Sequence, residues 1–333
     1  MKSRKEASEE GMAITQRMFG VSLVVLFLAL APAAMASTAW YVDGVNGSDN
    51  NDCKSPQTAC KTIGHAISLA SSGDSIMVAA ATYTENLAIN ISLEIFGANA
   101  GTTIVDGSRA GTVFTILGGK VVLSRLTIRN GWGGIENYGT LTINSSTISH
   151  NALHGIWGGI SNRGTLVVNN STIAFNPSGC NQYRICGAGG ILNAWLKVIV
   201  SNSTISDNNK GINSYYGTVT LQNSILANNG SRNCGGTMTS NGYNLSSDGT
   251  CNFSGPGDLN NTDPKLGTLG NHGGPTQTIP LLSGSPAIDA GNPGGCTDGN
   301  GNLLKTDQRG KPRPDKEDNG IGCDMGAYER QSD

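Results

Sequence analysis

Gly133-Gly134-Ile135-Glu136-Asn137-Tyr138-Gly139-Thr140-Leu141-Thr142-Ile143-Asn144, continuing through Ser145-Ser146-Thr147-Ile148-Ser149-His150-Asn151, is written several times over in this chain. The copies occupy 133–151, 158–176, 189–208 and, in degenerate form, 211–228. The isoleucines Ile128, Ile148, Ile173, Ile205 and Ile225 mark one place in the copies, at spacings of 20, 25, 32 and 20 residues. Ile135, Ile160, Ile191 and Ile212 mark another and expand in step, at 25, 31 and 21. Two markers that lengthen together mean one structural unit is copied and inserts fall between units. A repeat of this period specifies a solenoid or an array.

Inside each copy apolar and polar residues alternate, as in Leu141-Thr142-Ile143-Asn144, Leu166-Val167-Val168-Asn169 and Val219-Thr220-Leu221-Gln222. Alternation is the mark of half-buried strands. There is no 3.6-residue period and no fixed leucine framework. Short β-branched strands between Gly and Asn turns suit a parallel β-helix, an all-β solenoid whose coils bury their inner faces only as a stack. Asn137, Asn162 and Asn193 recur at one place, and Asn151, Asn176, Asn208 and Asn228 at another. Asn tolerates left-handed backbone and bonds its own turn, and stacked amides form a ladder. The ladder is favoured over a row of glycan-binding amides. The sequons at Asn144 and Asn170 fall on the same register.

The first 36 residues read as a signal peptide outside the fold: Lys2, Arg4, Lys5 and Arg17, an apolar run over 21–31, then Ala34-Met35-Ala36. An uncleaved anchor is the competing reading, although the run is shorter than the ~20 apolar residues of a span. Met12 and Met18 are alternative starts. Four of the 22 basic and three of the 24 acidic residues precede Ser37, so the mature chain carries 18 and 21, a net of −3. That balance steers toward neither nucleic acid nor anionic membrane. All eight cysteines follow the signal, and an even number in an exported chain favours disulfides. Close spacing suggests Cys53 with Cys60, Cys180 with Cys186, Cys234 with Cys251 and Cys296 with Cys323, among the 105 pairings that eight cysteines allow.

Residues 37–100 are expected to hold an N-terminal cap and the first coils. A strand from Trp40 is followed by a helix-patterned stretch over 62–70, which would cover the open apolar end. Residues 101–232 carry the regular coils. Residues 233–333 have different wording: Gly284-Ser285-Pro286-Ala287-Ile288-Asp289-Ala290-Gly291, then Asp307-Gln308-Arg309-Gly310, then Cys323-Asp324-Met325-Gly326-Ala327-Tyr328-Glu329. This tail resembles the bacterial choice-of-anchor Q domain. The rest resembles right-handed parallel β-helix proteins of the pectate-lyase-like superfamily, including the entry from Tyr41-Val42-Asp43 through Gly73-Asp74 to Thr82-Tyr83. The resemblance implies a right-handed helix with a C-terminal cap, in an exported bacterial protein, secreted or held at the cell surface.

Candidate chemistry is sparse. Hydrolysis of glycans needs two placed carboxylates. The acids of the regular coils are few, Glu136 and Asp207 among them, with Arg125, Arg129 and Arg163 as cations, too few for a calcium cage of 6–8 oxygens. His150 and His154 flank a turn and read as exposed. Trp132, Tyr138, Trp157 and Trp195, with Tyr215 and Tyr216, sit at coil turns, where aromatic faces either stack on sugar rings or seal corners. With Glu136 and Arg163 they form the candidate carbohydrate-contact set. Asp298-Gly299-Asn300-Gly301-Asn302 begins like a calcium loop and departs at Leu303. That loop and the Asp43 to Asp52 loop leave structural calcium open, with Asx turns favoured; no other metal or cofactor is expected. Asp289, Asp307, Arg309, Asp324 and Glu329 are read as a network that locks the end of the solenoid. The reading leans to a monomeric, non-catalytic module contacting polysaccharide or a cell-envelope glycan. A polysaccharide lyase or hydrolase and a purely structural spacer are the alternatives.

Overall fold

The alternating runs become strands, and each copy becomes one coil. In a computed structural model, which describes residues 37–98, 102–151, 158–179, 187–315 and 322–331, Ile135–Asn137, Thr140–Asn144 and Thr147–Ser149 lie on three different faces. The regular coils repeat this path. Stacking them builds three sheets of nine, eight and seven strands among the described residues, with all named strand pairs parallel. The sheets are called first (holding Thr140–Asn144), second (Thr147–Ser149) and third (Ile135–Asn137). The architecture is an all-β parallel β-helix of about seven coils.

Alternation decides what is buried. Leu141 and Ile143 point inward and are fully buried, while Thr140, Thr142 and Asn144 remain partly exposed. Ile135, Ile160, Ile191 and Ile212 stack in register inside, as do Ile128, Ile148, Ile173 and Ile205. Each buried aliphatic side chain contributes roughly 1.5–3 kcal/mol. The helix Ile63–Leu69 covers the first coils with Ile63 and Ala66. Its first turn is capped by the Thr62 hydroxyl, and by the Glu85 carboxylate, which accepts from Ile63 N and Gly64 N at 2.9 and 2.8 Å. At the other end the Cys234–Cys251 disulfide and Phe253 close the core.

One marker is shifted. Ile225 pairs with Thr204, and Leu226 takes the inward place beside Ile205. A one-residue slip sends a side chain to the opposite face. Ile225 accordingly points outward, where it forms a second apolar cluster with Leu281, Ala287 and Met325 of the tail. Coil pairing also runs past Ser231, through Cys234–Gly235, Met238–Ser240 and Leu245–Ser246.

The tail beyond the last strand lies lengthwise over the second sheet. Its strands Thr147–Ser149, Thr172–Ala174 and Thr204–Ser206 are buried on both faces for that reason. Outward threonines aligned in register meet the tail. Thr172 Oγ1 donates to Gln308 Oε1 at 2.6 Å, Gln308 Nε2 donates to Thr147 Oγ1 at 2.9 Å, and Ala327 N donates to Thr204 Oγ1 at 3.1 Å. Disulfides join Cys53–Cys60, Cys234–Cys251 and Cys296–Cys323. Cys180 and Cys186 lie outside the described residues. No helix among the described residues is long and apolar enough to cross a membrane.

Candidate functional site

Two asparagine ladders run up the coils. Asn137 Nδ2 donates to Asn162 Oδ1 at 2.7 Å, and Asn162 Nδ2 to Asn193 Oδ1 at 2.9 Å. Asn193 Nδ2 then donates to Ser214 Oγ at 3.2 Å. The second ladder runs Asn151, Asn176, Asn208, Asn229, with amide contacts of 3.1, 3.0 and 3.1 Å. Asn228 is therefore not a rung; Asn229 is. The reason is the register slip at Ile225. The left-handed backbone belongs to the position one residue earlier, held by Asn130, His150, Phe175, Asp207 and Asn228 with φ of 55–57°. Left-handed tolerance and amide stacking, combined in one residue by the sequence reading, are thus divided between neighbours. All the rungs are buried, with their amides turned into the backbone.

The corner between the third and first sheets is different. Main-chain bonds Tyr138 N→Ile116 O, Arg163 N→Asn137 O, Ala194 N→Asn162 O and Tyr215 N→Asn193 O place Leu117, Tyr138, Arg163, Ala194 and Tyr215 at equivalent places. Trp195, Leu196 and Tyr216 extend this corner outward. Glycines follow several of these residues because a side chain would collide: a Cβ on Gly164 would lie 2.0 Å from Gly139 O. The tight turns let the ridge side chains stack at the rung spacing of about 4.8 Å.

Three predicted residues converge on this ridge. Tyr138 Oη donates to Glu136 Oε1 at 2.7 Å, and Arg163 Nη1 bonds both Glu136 Oε1 and Tyr138 Oη. The Arg163 guanidinium stands 5.1 Å from the centre of the Tyr138 ring. The hydrogen bond to Glu136, with a smaller contribution from burial, raises the Tyr138 phenol above its ordinary value. Further along, Trp195 stacks on Tyr216 with centroids 5.0 Å apart. Trp195 is 57% exposed and Tyr216 77%. Trp132 does not join them. It sits at the corner between the second and third sheets, where its Nε1 donates to Arg109 O at 2.8 Å. Trp157 and His154 lie outside the described residues. His150 is exposed and stacks on Phe175 at 5.6 Å. The ridge also holds Leu117 and Leu196, missed in the sequence because single apolar residues in turns carry no periodic signal.

Glu136 is the one carboxylate among the described strand residues of the third sheet. Asp106, on the second sheet, is held by Arg129 Nε at 2.9 Å and Asn130 Nδ2 at 2.8 Å. Each acid is thus matched to its own arginine on a separate face, unlike the facing pair that glycoside hydrolysis uses. The candidate calcium loops spend these carboxylates on backbone N–H groups, of their own turns or of the helix start. Asp43 accepts from Val45 N and Asn46 N, Asp49 from Lys61 N and Thr62 N, and Asp298 from Asn300 N and Asn302 N. Cys53, Cys60 and His65 come within 4.8 Å of one another, but both sulfurs are in a disulfide.

The tail acids and arginines do meet, along the side of the solenoid rather than across its end. Arg309 bonds Asp307, and Arg313 Nε bonds Glu329 Oε2 at 2.8 Å, all four side chains being at most 4% exposed. Arg309 also lies against Tyr328, 3.5 Å from the ring centre. Asp289 is the exception: its side chain is exposed and only its backbone N–H reaches Asp324. Arg313, absent from the sequence-derived set, is the centre of the network.

Burial, reinforced by Glu329, pushes Asp324 up to about 7, and burial raises Glu329 too. The folded tail therefore keeps a proton that the unfolded chain releases at the ordinary carboxylate value. Stability is full below that value and declines as pH rises through about 7. Denaturant midpoints measured across this window should fall with rising pH. Asp324→Asn should flatten the slope at some cost to the Arg330 N–H bond; an unaltered slope would place the titration elsewhere.

No protein-family model and no curated protein matches this chain. Among solved structures, the crystal structure of pectate lyase Pel9A aligns with a TM-score of 0.43 at 15% identity, over 89% of this chain and 97% of that one. The class defined by the fold is a parallel β-helix with a side-packed tail.

Proposed function

We propose that this chain is an exported, monomeric, non-catalytic module that holds polysaccharide along the corner between the third and first sheets. The observation that carries the reading is the ridge itself. Tyr138, Trp195, Tyr215 and Tyr216 are 46–77% exposed on three of four consecutive coils, with Arg163 on the coil between Tyr138 and Trp195, and a contiguous exposed patch of this kind marks a contact surface. Ring faces and edges would pack on sugar rings, and the Glu136–Tyr138–Arg163 cluster would bond hydroxyls. The pairing of Glu136 with Arg163 favours holding over cleaving. Three disulfides favour an oxidising compartment outside the cytoplasm. We read the tail as a domain of the choice-of-anchor Q type.

The test is retention of the mature protein on immobilised plant and bacterial polysaccharides, with mass spectrometry of the released material. Retention on one polymer is expected, weakened about tenfold by Trp195→Ala or Tyr216→Ala, the loss typical of an aromatic anchor. Released oligosaccharides would instead establish a lyase or hydrolase. Absence of retention on every polymer would leave the ridge without a glycan role.

A further inference from the structure

The outer face of the first sheet carries a cleft that neither the ridge nor the tail network uses. It lies between the strands Lys197–Ser201 and Thr218–Gln222 and the tail loop at Gly299, and has a volume of 140 Å³. Alternation supplies its floor and ends. Lys197, Ile199 and Ser201 are the outward residues of one strand, and Thr220 and Gln222 pair with Ile199 and Ser201 on the next. Asn241 joins them from the following coil. The tail supplies the wall. Gly299 N donates to Asn169 Oδ1 at 2.9 Å, and a Cβ on Gly299 would stand 3.0 Å from Val167 and Ile199 methyls, so the loop rests directly on the sheet. Asn202 Nδ2 holds this loop in place through Thr297 O at 2.6 Å.

The polar groups of the cleft are unspent. Lower in the same column the amides are paired, Asn169 Nδ2 donating to Asn144 Oδ1 at 3.2 Å. Beyond Gly299 the pairing stops. The side chains of Lys197, Ser201, Thr220, Gln222 and Asn241 have no hydrogen-bond or ion-pair partner among the described residues. Ser201 is only 1% exposed, and its unpaired hydroxyl keeps contact with solvent through the cleft. A polar group so deeply placed normally has a partner. Lys197 is the one charged residue of the described lining. The neighbouring Asp298 carboxylate is turned into its own loop, accepting from Asn300 N, Asn302 N and Asn302 Nδ2 at 2.8, 2.9 and 3.1 Å.

We infer that this cleft binds a small polyhydroxylated carboxylate, its carboxylate on Lys197 and its hydroxyls on Ser201, Thr220, Gln222 and Asn241. The volume is well below the ~300–1,000 Å³ of a drug-sized pocket, which limits the occupant to about one sugar-sized unit. One ammonium matches one negative charge, and hydroxyls and amides donate and accept as ligand hydroxyls do. Ile199 gives the carbon skeleton an apolar floor. A free sugar acid and an acidic unit of a polysaccharide present the same chemistry. The site uses none of the ridge side chains and does not depend on glycan binding there.

Gluconate and glucuronate would be titrated into the mature protein, disulfides intact, by isothermal titration calorimetry, beside sorbitol, acetate and a glucuronate-containing polymer. An acid is expected to bind at least about tenfold more tightly than sorbitol or acetate, each of which lacks one half of the contacts. Lys197→Met keeps the apolar stem and should weaken the acid about tenfold, the loss of one charged hydrogen bond. Gln222→Ala should weaken it a few-fold. Both variants should keep the parent denaturant midpoint, which separates lost binding from lost fold, and Trp195→Ala should bind the acid as the parent does. Absence of binding by either acid, acetate binding as tight as gluconate, or equal binding by Lys197→Met would overturn the inference. The polymer identifies the source in a site that does bind acids. Polymer binding that Lys197→Met weakens makes it a polysaccharide subsite, and binding of the free acids alone makes it a small-molecule site.

Discussion

Arg313→Met is expected to destabilise the protein by about 3–5 kcal/mol, the cost of leaving one partner of a buried ion pair uncompensated. The Arg313 side chain is fully buried and joins three parts of the molecule. Nε donates to Glu329 Oε2 at 2.8 Å, Nη2 to Gly326 O at 2.9 Å, and Nη1 to Asn170 Oδ1 at 3.2 Å. The first two contacts are within the tail; the third ties the tail to a coil. Methionine keeps much of the length and removes the charge, so Glu329 would face an apolar surround alone. The loss should shrink on acidification, because burial already raises Glu329 and a protonated carboxyl no longer needs the cation. Denaturant unfolding gives the magnitude. Limited proteolysis gives the location: cuts should appear in the tail while the coils resist, as for a locally opened unit. An unchanged midpoint would mean that the network is not what holds the tail.

Asn176→Ala should cost a comparable amount, about 3–5 kcal/mol, although it removes no charge and little apolar area. Asn176 is fully buried. Its Oδ1 accepts from Asn151 N and Asn151 Nδ2, both at 3.1 Å. Its Nδ2 donates to Ile148 O, Ala174 O and Asn208 Oδ1, each at 3.0 Å. Alanine would leave buried donors and acceptors of three coils unmet, at about 1–3 kcal/mol for each unsatisfied group. Asn228→Ala is the control. That residue is exposed and supplies only a left-handed turn, so about 1 kcal/mol is expected. Equal losses at the two sites would contradict the division between rung and turn described above.

The same division shows where sequence reading stops. Asn228 and Asn229 are adjacent and chemically identical, and each satisfies part of the asparagine pattern. Only the pairing of Leu226 with Ile205 decides which one reaches the ladder. Ile225 misleads for the same reason: it has the right residue type one place out of step, and its apolar side chain is explained by Met325 and Leu281, far along the chain. The candidate ridge was partly visible. Glu136, Tyr138 and Arg163 were each marked, but their meeting depends on residues 25–27 positions apart stacking on adjacent coils. Trp132 looked equivalent and is not, because a three-residue strand, Ile135–Asn137, carries the chain from one corner to the next between it and Tyr138.

By itself the sequence determined the coil. Alternation, repeat spacing and turn residues act through neighbouring positions and through copies stacked in register, so the local pattern is sufficient to specify strands, corners and an inward face. The tertiary structure alone decided where the tail goes. Its docking depends on Gln308 meeting Thr147 and Thr172, and on Arg313 meeting Asn170, contacts spanning 136–161 residues. No period connects those residues. Their attraction is hydrogen bonding and charge in a space from which water is excluded, and that space exists only once the coils and the tail are both in place.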